Sequence, residues 1–244
     1  MKVAINGFGR IGRMVLRAGL NEPGLNFVAV NDLTDIETLA YLLKYDSVYG
    51  KLDVGVRIDG NVLVVGRHKI KVYSEKEPGN LPWGDLKVDV VVESSGIFRT
   101  KEKASLHLDA GAKKVVLSAP AKGDAYVKTI VVGVNDKDVN KSDKVLSNAS
   151  CTTNCLAPLV YVLNKKFGVK SGFMTTTHGY TSSQNIVDGP HKDLRRGRAG
   201  GVNIVPTSTG ATNAIGLVIP EVQGKLEGMA LRVPVVDGSL VELN

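Results

Sequence analysis

Lys2-Val3-Ala4-Ile5-Asn6-Gly7-Phe8-Gly9-Arg10-Ile11-Gly12 decides the fold. Residues 2–6 read as a short buried strand, and Met14, Val15 and Ala18 then recur at helical spacing. Between strand and helix lies a G-x-G-x-x-G turn, the junction that receives a dinucleotide. Gly7 permits the tight turn, Gly9 lets the backbone approach a pyrophosphate, and Gly12 allows close packing of helix on strand. The phosphates are expected at the helix N-terminus, where backbone N–H groups are unpaired. Such a unit requires an acid about twenty residues on, closing the second strand. Phe27-Val28-Ala29-Val30-Asn31 is that strand and Asp32 closes it. A carboxylate there accepts from ribose hydroxyls and repels a 2′-phosphate, and neither Leu33 nor Thr34 offers such a phosphate an arginine. NAD is therefore expected over NADP. The competing reading of Asp32 is a cap for the helix begun near Asp35 to Glu37.

Working outward, residues 54–58 and 61–65 flank Asp59-Gly60 as a hairpin, and 69–73 makes a further strand. Residues 88–92 are apolar except for Asp89, as a parallel strand covered on both faces should be. That run ends in Glu93-Ser94-Ser95-Gly96, small and polar residues at the strand end where doubly wound sheets bind ligands. A helix over 104–110 stopped by Gly111, and strands over 114–117 and 130–134, complete an alternation that argues for a mostly parallel α/β sheet.

The bulk numbers exclude more than they assign. The 244 residues carry a net charge of +7, but Lys and Arg are scattered and no nucleic-acid motif accompanies them. The charge reads as solvated surface, and no specific nucleic-acid partner is expected. No apolar stretch has the length to cross a bilayer, and the N-terminus shows no secretory segment. Two cysteines four positions apart do not make a disulfide framework, which fits the cytoplasm. No metal site is expected.

The second half holds the reactive candidates. Asn148-Ala149-Ser150-Cys151-Thr152-Thr153-Asn154-Cys155 places a thiol where a polar turn gives way to a helix-like run. A cysteine at a helix N-terminus meets unpaired N–H groups and the positive end of the dipole, both favouring thiolate. Pro158 is expected to bend this helix, and Cys155 to be a small packing residue. Residues 171–177 are β-prone and deliver His178, a candidate base for the thiol; His68 and His107 sit in charged surroundings and His191 in a polar loop. Residues 181–203 form a long aperiodic loop of the kind that carries function. Pro206-Thr207-Ser208-Thr209-Gly210-Ala211 is a hydroxyl-rich turn suited to phosphate oxygens, and Arg232 offers a bidentate guanidinium.

Together these motifs resemble the glyceraldehyde-3-phosphate dehydrogenase family over essentially the whole chain. The marks are Asn6 to Gly12, Asp32, Ser118-Ala119-Pro120, Ser147 to Cys155, Thr175 to Thr181, His191 to Arg198, Pro206 to Ala211 and Leu231 to Pro234. The resemblance implies a Rossmann domain over residues 1–150, then a mixed-sheet α+β catalytic domain over 151–244, assembled as a homotetramer. It implies oxidation of glyceraldehyde 3-phosphate to 1,3-bisphosphoglycerate with NAD and inorganic phosphate, through a cysteine thioester, in glycolysis. By position Cys151 is the nucleophile and His178 its base, and the Cys151 backbone N–H and the imidazolium hold the oxyanion. Ser150, Thr152, Thr209 and Gly210 match the site for inorganic phosphate, and Thr181, Arg232 and Arg196 that for the substrate's phosphate. Arg10, Ile11, Asp32, Lys76, Ser95 and Ser118 match cofactor positions beside Gly7, Gly9 and Gly12.

The chain departs from the family pattern at Thr212-Asn213, where a lysine is lost, at Ser95, where threonine is common, and at Gly197, Gly200 and Gly201, which replace alanines. Family members continue well past Val233-Pro234, so a truncated chain with an unpaired sheet edge is expected. Two other readings stay open: a relative acting on erythrose 4-phosphate, and a non-catalytic form that binds NAD or RNA without turnover.

Overall fold

A computed structural model describes all 244 residues. The chain forms two compact units, Met1–Thr129 with Asn140–Asn148, and Ile130–Val139 with Ala149–Asn244.

In the first unit β1 (Lys2–Asn6) passes through the glycine turn into α1 (Arg10–Gly19), then β2 (Asn26–Asn31) and α2 (Ile36–Lys44). A two-stranded ribbon, β3 (Tyr45–Asp46) and β4 (Gly50–Lys51), precedes β5 (Val56–Asp59), β6 (Val62–Val65) and β7 (His68–Tyr73). After α3 (Trp83–Leu86) come β8 (Val90–Glu93), α4 (Lys101–Asp109), β9 (Lys114–Leu117), β10 (Lys128–Thr129) and β11 (Val145–Ser147). Nine strands make one sheet in the order β10-β11-β9-β8-β1-β2-β7-β6-β5. Pairing is parallel from β10 to β7; β6 pairs antiparallel with both β7 and β5, with the expected hairpin turn at Gly60. The chain builds outward from β1 to β2 and β7, then returns to place β8 on the other flank. This reversal opens a crevice at the carboxyl ends of β1 and β8, where doubly wound sheets take their ligands. Strand alternation feeds two layers: Val3 and Ile5 pack with Phe8, Leu16 and Leu39, and Ala4 packs with Trp83, Val88 and Val91.

A buried polar chain ties those carboxyl ends together. Asn31 Nδ2 donates to Asn6 Oδ1 (2.7 Å), and Asn6 Nδ2 donates to Glu93 Oε2 (2.6 Å). Glu93 also accepts from the Ser95 N–H (2.8 Å), the Ser95 hydroxyl, and His107 Nε2 (2.9 Å). Trp83 Nε1 lies 3.0 Å from His107 Nδ1. An indole N–H only donates, so Nδ1 accepts and the proton on Nε2 is directed at Glu93. His107 and His68, expected in charged surroundings, are thus both interior residues; His68 Nε2 meets the Leu20 carbonyl (3.0 Å).

The second unit contains α5 (Cys151–Phe167), β12 (Gly172–Gly179), β13 (Val205–Thr207), α6 (Ala211–Val218), β14 (Leu226–Val233) and β15 (Ser239–Leu243). Its sheet order is β13-β14-β12-β15, with β12 and β14 parallel and the outer strands antiparallel. Leu156, Ala157 and Val160 of α5 pack with Met174, Ile215, Val218 and Leu226. The helix is continuous through Pro158.

Two expectations fail here. Residues 130–134 are not a strand: Val131 N–H donates to Asn135 Oδ1 (2.8 Å), Gly133 turns with φ +82°, and Val131 joins the core around Leu156. Cys155 does not pack; it is exposed on α5. No helix is long and apolar enough to cross a membrane.

His107→Leu should remove a donor from Glu93 and strand the Trp83 indole, costing about 3 kcal/mol. Urea unfolding read by tryptophan emission measures it; an unchanged midpoint would show that the network holds nothing.

Candidate active site

α5 begins where the sequence places the thiol. Ser150 is the N-cap, its Oγ accepting from Thr153 N–H (3.0 Å), and Cys151 is the first helical residue. Ala149, just before it, holds φ +57° while buried, a left-handed conformation that costs a non-glycine residue energy and recurs at functional sites. This strain was not legible from the sequence. Cys151 is exposed and therefore open to a reactant.

His178 comes from the penultimate position of β12, with Thr176 and Met174 buried two and four residues before it on the same face. Its Nε2 lies 3.1 Å from Cys151 Sγ. That hydrogen bond holds the thiol below its ordinary range, helped by the imidazole's charge and by hydrogen bonds from Thr152, and opposed by burial. Reciprocally, the bond to Cys151 raises His178 and the Gly179 carbonyl supports it, while burial and the charge of Arg232 oppose the rise. Arg232 stands opposite His178 in the β12–β14 ladder, and its Nη1 reaches His178 Nδ1 (2.6 Å) and the Gly179 oxygen (3.0 Å). Arg196 donates through Nε to Thr207 Oγ1 (2.9 Å), close enough for its charge to bear on Arg232. Neither arginine meets a carboxylate.

The remaining phosphate candidates are more local. Thr209 Oγ1 accepts from Ala211 N–H (3.2 Å) and Gly210 caps α6. Thr181 Oγ1 pairs with Ser183 Oγ (2.8 Å), and no hydrogen bond joins Thr181 or Thr209 to the cysteine–histidine pair.

In the first unit a groove of about 700 Å³ is lined by Gly7, Gly9, Asp32, Lys76 and Ser95 together with Asn6, Leu33 and Phe98. Two of the three turn glycines have no room for a side chain. Gly7 has φ +86°, and a Cβ there would overlap the Ser95 backbone; one at Gly12 would overlap the Gly7 carbonyl. The space beside Gly9 is clear. Asp32 Oδ2 accepts from Phe8 N–H (2.7 Å) and Oδ1 from Thr34 N–H (3.0 Å). The carboxylate is thus fixed to the glycine turn rather than capping α2, which Asp35 does, and each oxygen keeps a lone pair for a ribose hydroxyl. These residues fit NAD. Four cofactor candidates lie off the groove lining: Gly12 packs against the Gly7 carbonyl, Arg10 pairs with Asp46 (2.7 Å), the Ile11 side chain is exposed, and Ser118 N–H donates to the Glu93 carbonyl (3.0 Å). The sequence places Glu93 at the strand end where the sheet takes its ligand but does not show that Asn6 and Glu93 hydrogen-bond to each other beneath the groove; their signal is a polar residue at the end of an apolar strand.

Residues 1–101 match the profile of the glyceraldehyde 3-phosphate dehydrogenase NAD binding domain, and residues 150–244 match its C-terminal domain. The chain belongs to the glyceraldehyde-3-phosphate dehydrogenase family. The glyceraldehyde-3-phosphate dehydrogenase of Geobacillus stearothermophilus is 58% identical over 244 residues, covering 100% of this chain and 72% of the relative. That of Clostridium pasteurianum is 56% identical, covering 99% and 72%. That of Mycolicibacterium smegmatis is 57% identical over 251 residues, covering 100% and 73%. Like other glyceraldehyde-3-phosphate dehydrogenases this chain is an NAD-dependent oxidoreductase acting on glyceraldehyde 3-phosphate.

Asp32→Gly removes the acceptor for the ribose hydroxyls and the charge that repels a 2′-phosphate. The NAD-over-NADP preference in kcat/KM should narrow by about tenfold; an unchanged preference would refute the role given to this carboxylate.

Proposed function

We propose that Cys151 and His178 carry the thioester chemistry of the family in this chain, and that residues 1–150 bind the dinucleotide while 151–244 supply the catalytic side chains. The observation that carries the reading is the 3.1 Å approach of Cys151 Sγ to His178 Nε2 at the first turn of α5. His178 takes the thiol proton, and the thiolate attacks the aldehyde carbon to give a hemithioacetal. The oxygen that gains charge on attack is stabilised by the Cys151 backbone N–H and the imidazolium. NAD, when bound by Gly7, Gly9, Asp32, Lys76 and Ser95, supplies the hydride acceptor. Loss of hydride from the hemithioacetal carbon leaves a thioester on Cys151. Inorganic phosphate then attacks that carbonyl, the C–S bond breaks, and the acyl phosphate leaves as the thiolate returns.

Thr152 hydrogen bonds favour the thiolate form of Cys151, adding to its suitability as nucleophile and as leaving group. Arg196 and Arg232, two cations without a carboxylate, suit the substrate's phosphate. Ser150, Thr209 and Gly210 are assigned to inorganic phosphate, and Thr181 to the substrate's phosphate beside the arginines. We infer a reducing cytoplasmic setting, in keeping with two free cysteines, one of them the nucleophile. We also infer a homotetramer: the long loop leaves Ile186, Val187, Leu194, Val202 and Ile204 all more than 60% exposed, an apolar load that suits burial against another subunit.

Cys151→Ser should abolish turnover and leave NAD binding intact by calorimetry; residual turnover at the parent rate would exclude the nucleophile. His178→Asn should slow acylation by about 10²–10⁴-fold. It should also move the midpoint of Cys151 alkylation to higher pH, because the bond that favours thiolate is gone. An alkylation profile identical to the parent's would count against the pairing. Sedimentation equilibrium should give the mass of four chains, and Val187→Asp should reduce it.

A further inference from the structure

The amino ends of the parallel strands, at the opposite edge of the sheet from the dinucleotide groove, gather lysines that the sequence scatters. Lys114 opens β9 and Lys113 precedes it; Lys144 precedes β11, and Lys141 stands in the turn that leads there. β11, β9 and β8 are neighbours in the sheet, so their starts are spread over about 10 Å. With Met1, Asp89 and Val90 these four lysines line a cavity of about 460 Å³.

Two of the four ammonium groups are committed within the protein. Lys113 Nζ pairs with Asp89 Oδ1 (2.6 Å), and the other oxygen of that carboxylate accepts the Lys2 N–H (2.8 Å). Lys114 Nζ folds the turn around itself, donating to the carbonyl oxygens of Asn140 (3.4 Å), Lys141 (3.3 Å) and Asp143. Those three bonds use all its protons, though its charge remains. The Asp143 carboxylate is itself taken by Lys128 (2.7 Å) and by the Asn140 N–H (2.7 Å). Lys141 and Lys144 are different: both are exposed, and no carboxylate or hydrogen bond engages either ammonium. Nor do they offset a helix end. That duty falls to Lys2, whose Nζ meets the Leu86 carbonyl at the end of α3 (3.0 Å). Four like charges repel one another across this cavity, and Asp89 is the one acid that lines it. An anion is the missing counterpart.

The lining also says which anion. It contains no aromatic ring, amide side chain or hydroxyl with which to read a base or a sugar. Its cations rise from adjacent strand starts and from the turn beside them, farther apart than one phosphate group reaches. We propose that this amino-end cavity binds a condensed inorganic phosphate chain, with Lys141 and Lys144 as the principal contacts and Lys113 as a third. Lys114 acts as a positioning residue: it shapes the turn that presents the two free lysines and adds its charge to the field. Asp89, the polar interruption of the apolar run 88–92, holds Lys113 at the rim.

The test is calorimetry of the full chain, saturated with NAD so that the groove is filled, with inorganic tripolyphosphate as the probe. Tripolyphosphate should bind at least about tenfold more tightly than orthophosphate, because it gains a further charge-assisted contact. Lys141→Gln with Lys144→Gln should weaken it by about tenfold or more, and Lys141→Glu with Lys144→Glu further still. Both pairs are exposed, and circular dichroism verifies that the variants fold. Arg232→Ala should leave the affinity for tripolyphosphate at the parent's value. ATP, which carries the same chain on a nucleoside, should bind no more tightly than tripolyphosphate. The site is overturned if tripolyphosphate does not bind, if the lysine variants keep the parent's affinity, or if Arg232→Ala removes the binding. Orthophosphate binding as tightly as the chain would overturn the chain as ligand, as would tighter binding of ATP that the lysine variants abolish.

Discussion

The register of the β12–β14 ladder is the constraint on which the catalytic half depends. Parallel pairing sets His178 opposite Arg232, so both side chains leave the sheet on one face, towards the first turn of α5. A slip of one residue would turn every side chain of the strand to the other face. Met174 and Thr176, buried on the same face as His178, resist such a slip because it would exchange them for the less buried Thr175 and Thr177. The core of the unit and the aim of the imidazole are therefore fixed by one alignment.

The nucleotide unit solves a different problem, that of polar strand ends inside a tightly packed sheet. Asn6, Asn31 and Glu93 end β1, β2 and β8, and leaving any of them unpaired would cost a large part of the unit's stability. Joined through Asn6, with Ser95 and His107 completing the set, they become the support of the groove. Ser95 is held by Glu93 and lies against Gly7 so closely that only glycine is tolerated there. Gly7 and Gly12 thus answer to protein neighbours, whereas Gly9 leaves space for the ligand.

Much of this was legible in the sequence. The change from period two to helical period across Gly7–Gly12, the position of Asp32 and the polar-to-apolar junction at Cys151 each depend on local spacing, which a single chain displays. What the sequence hid depends on distant partners. His107 sits in a charged run, yet its ring is buried by Trp83 and Glu93, 24 and 14 residues away. Residues 130–134 look like a strand, but the Asn135 side chain takes a backbone N–H that the ladder would need. Cys155 lies one turn from Cys151, and its exposure follows from which face of α5 packs on Met174 and Ile215, a fact no spacing rule supplies. α6 and β14 carry little local signal, since Ala211–Val218 is apolar with little period and Gly228 interrupts a β-prone run.

Trp83 is the chain's sole tryptophan, and its indole is fully enclosed in the nucleotide unit with its N–H spent on His107. Fluorescence excited at the red edge of protein absorbance consequently reports that unit alone. Melting of the unit that carries Cys151 is silent in this signal and visible to calorimetry. A gap between the optical and calorimetric transitions would measure directly how far the two halves of the chain unfold as one.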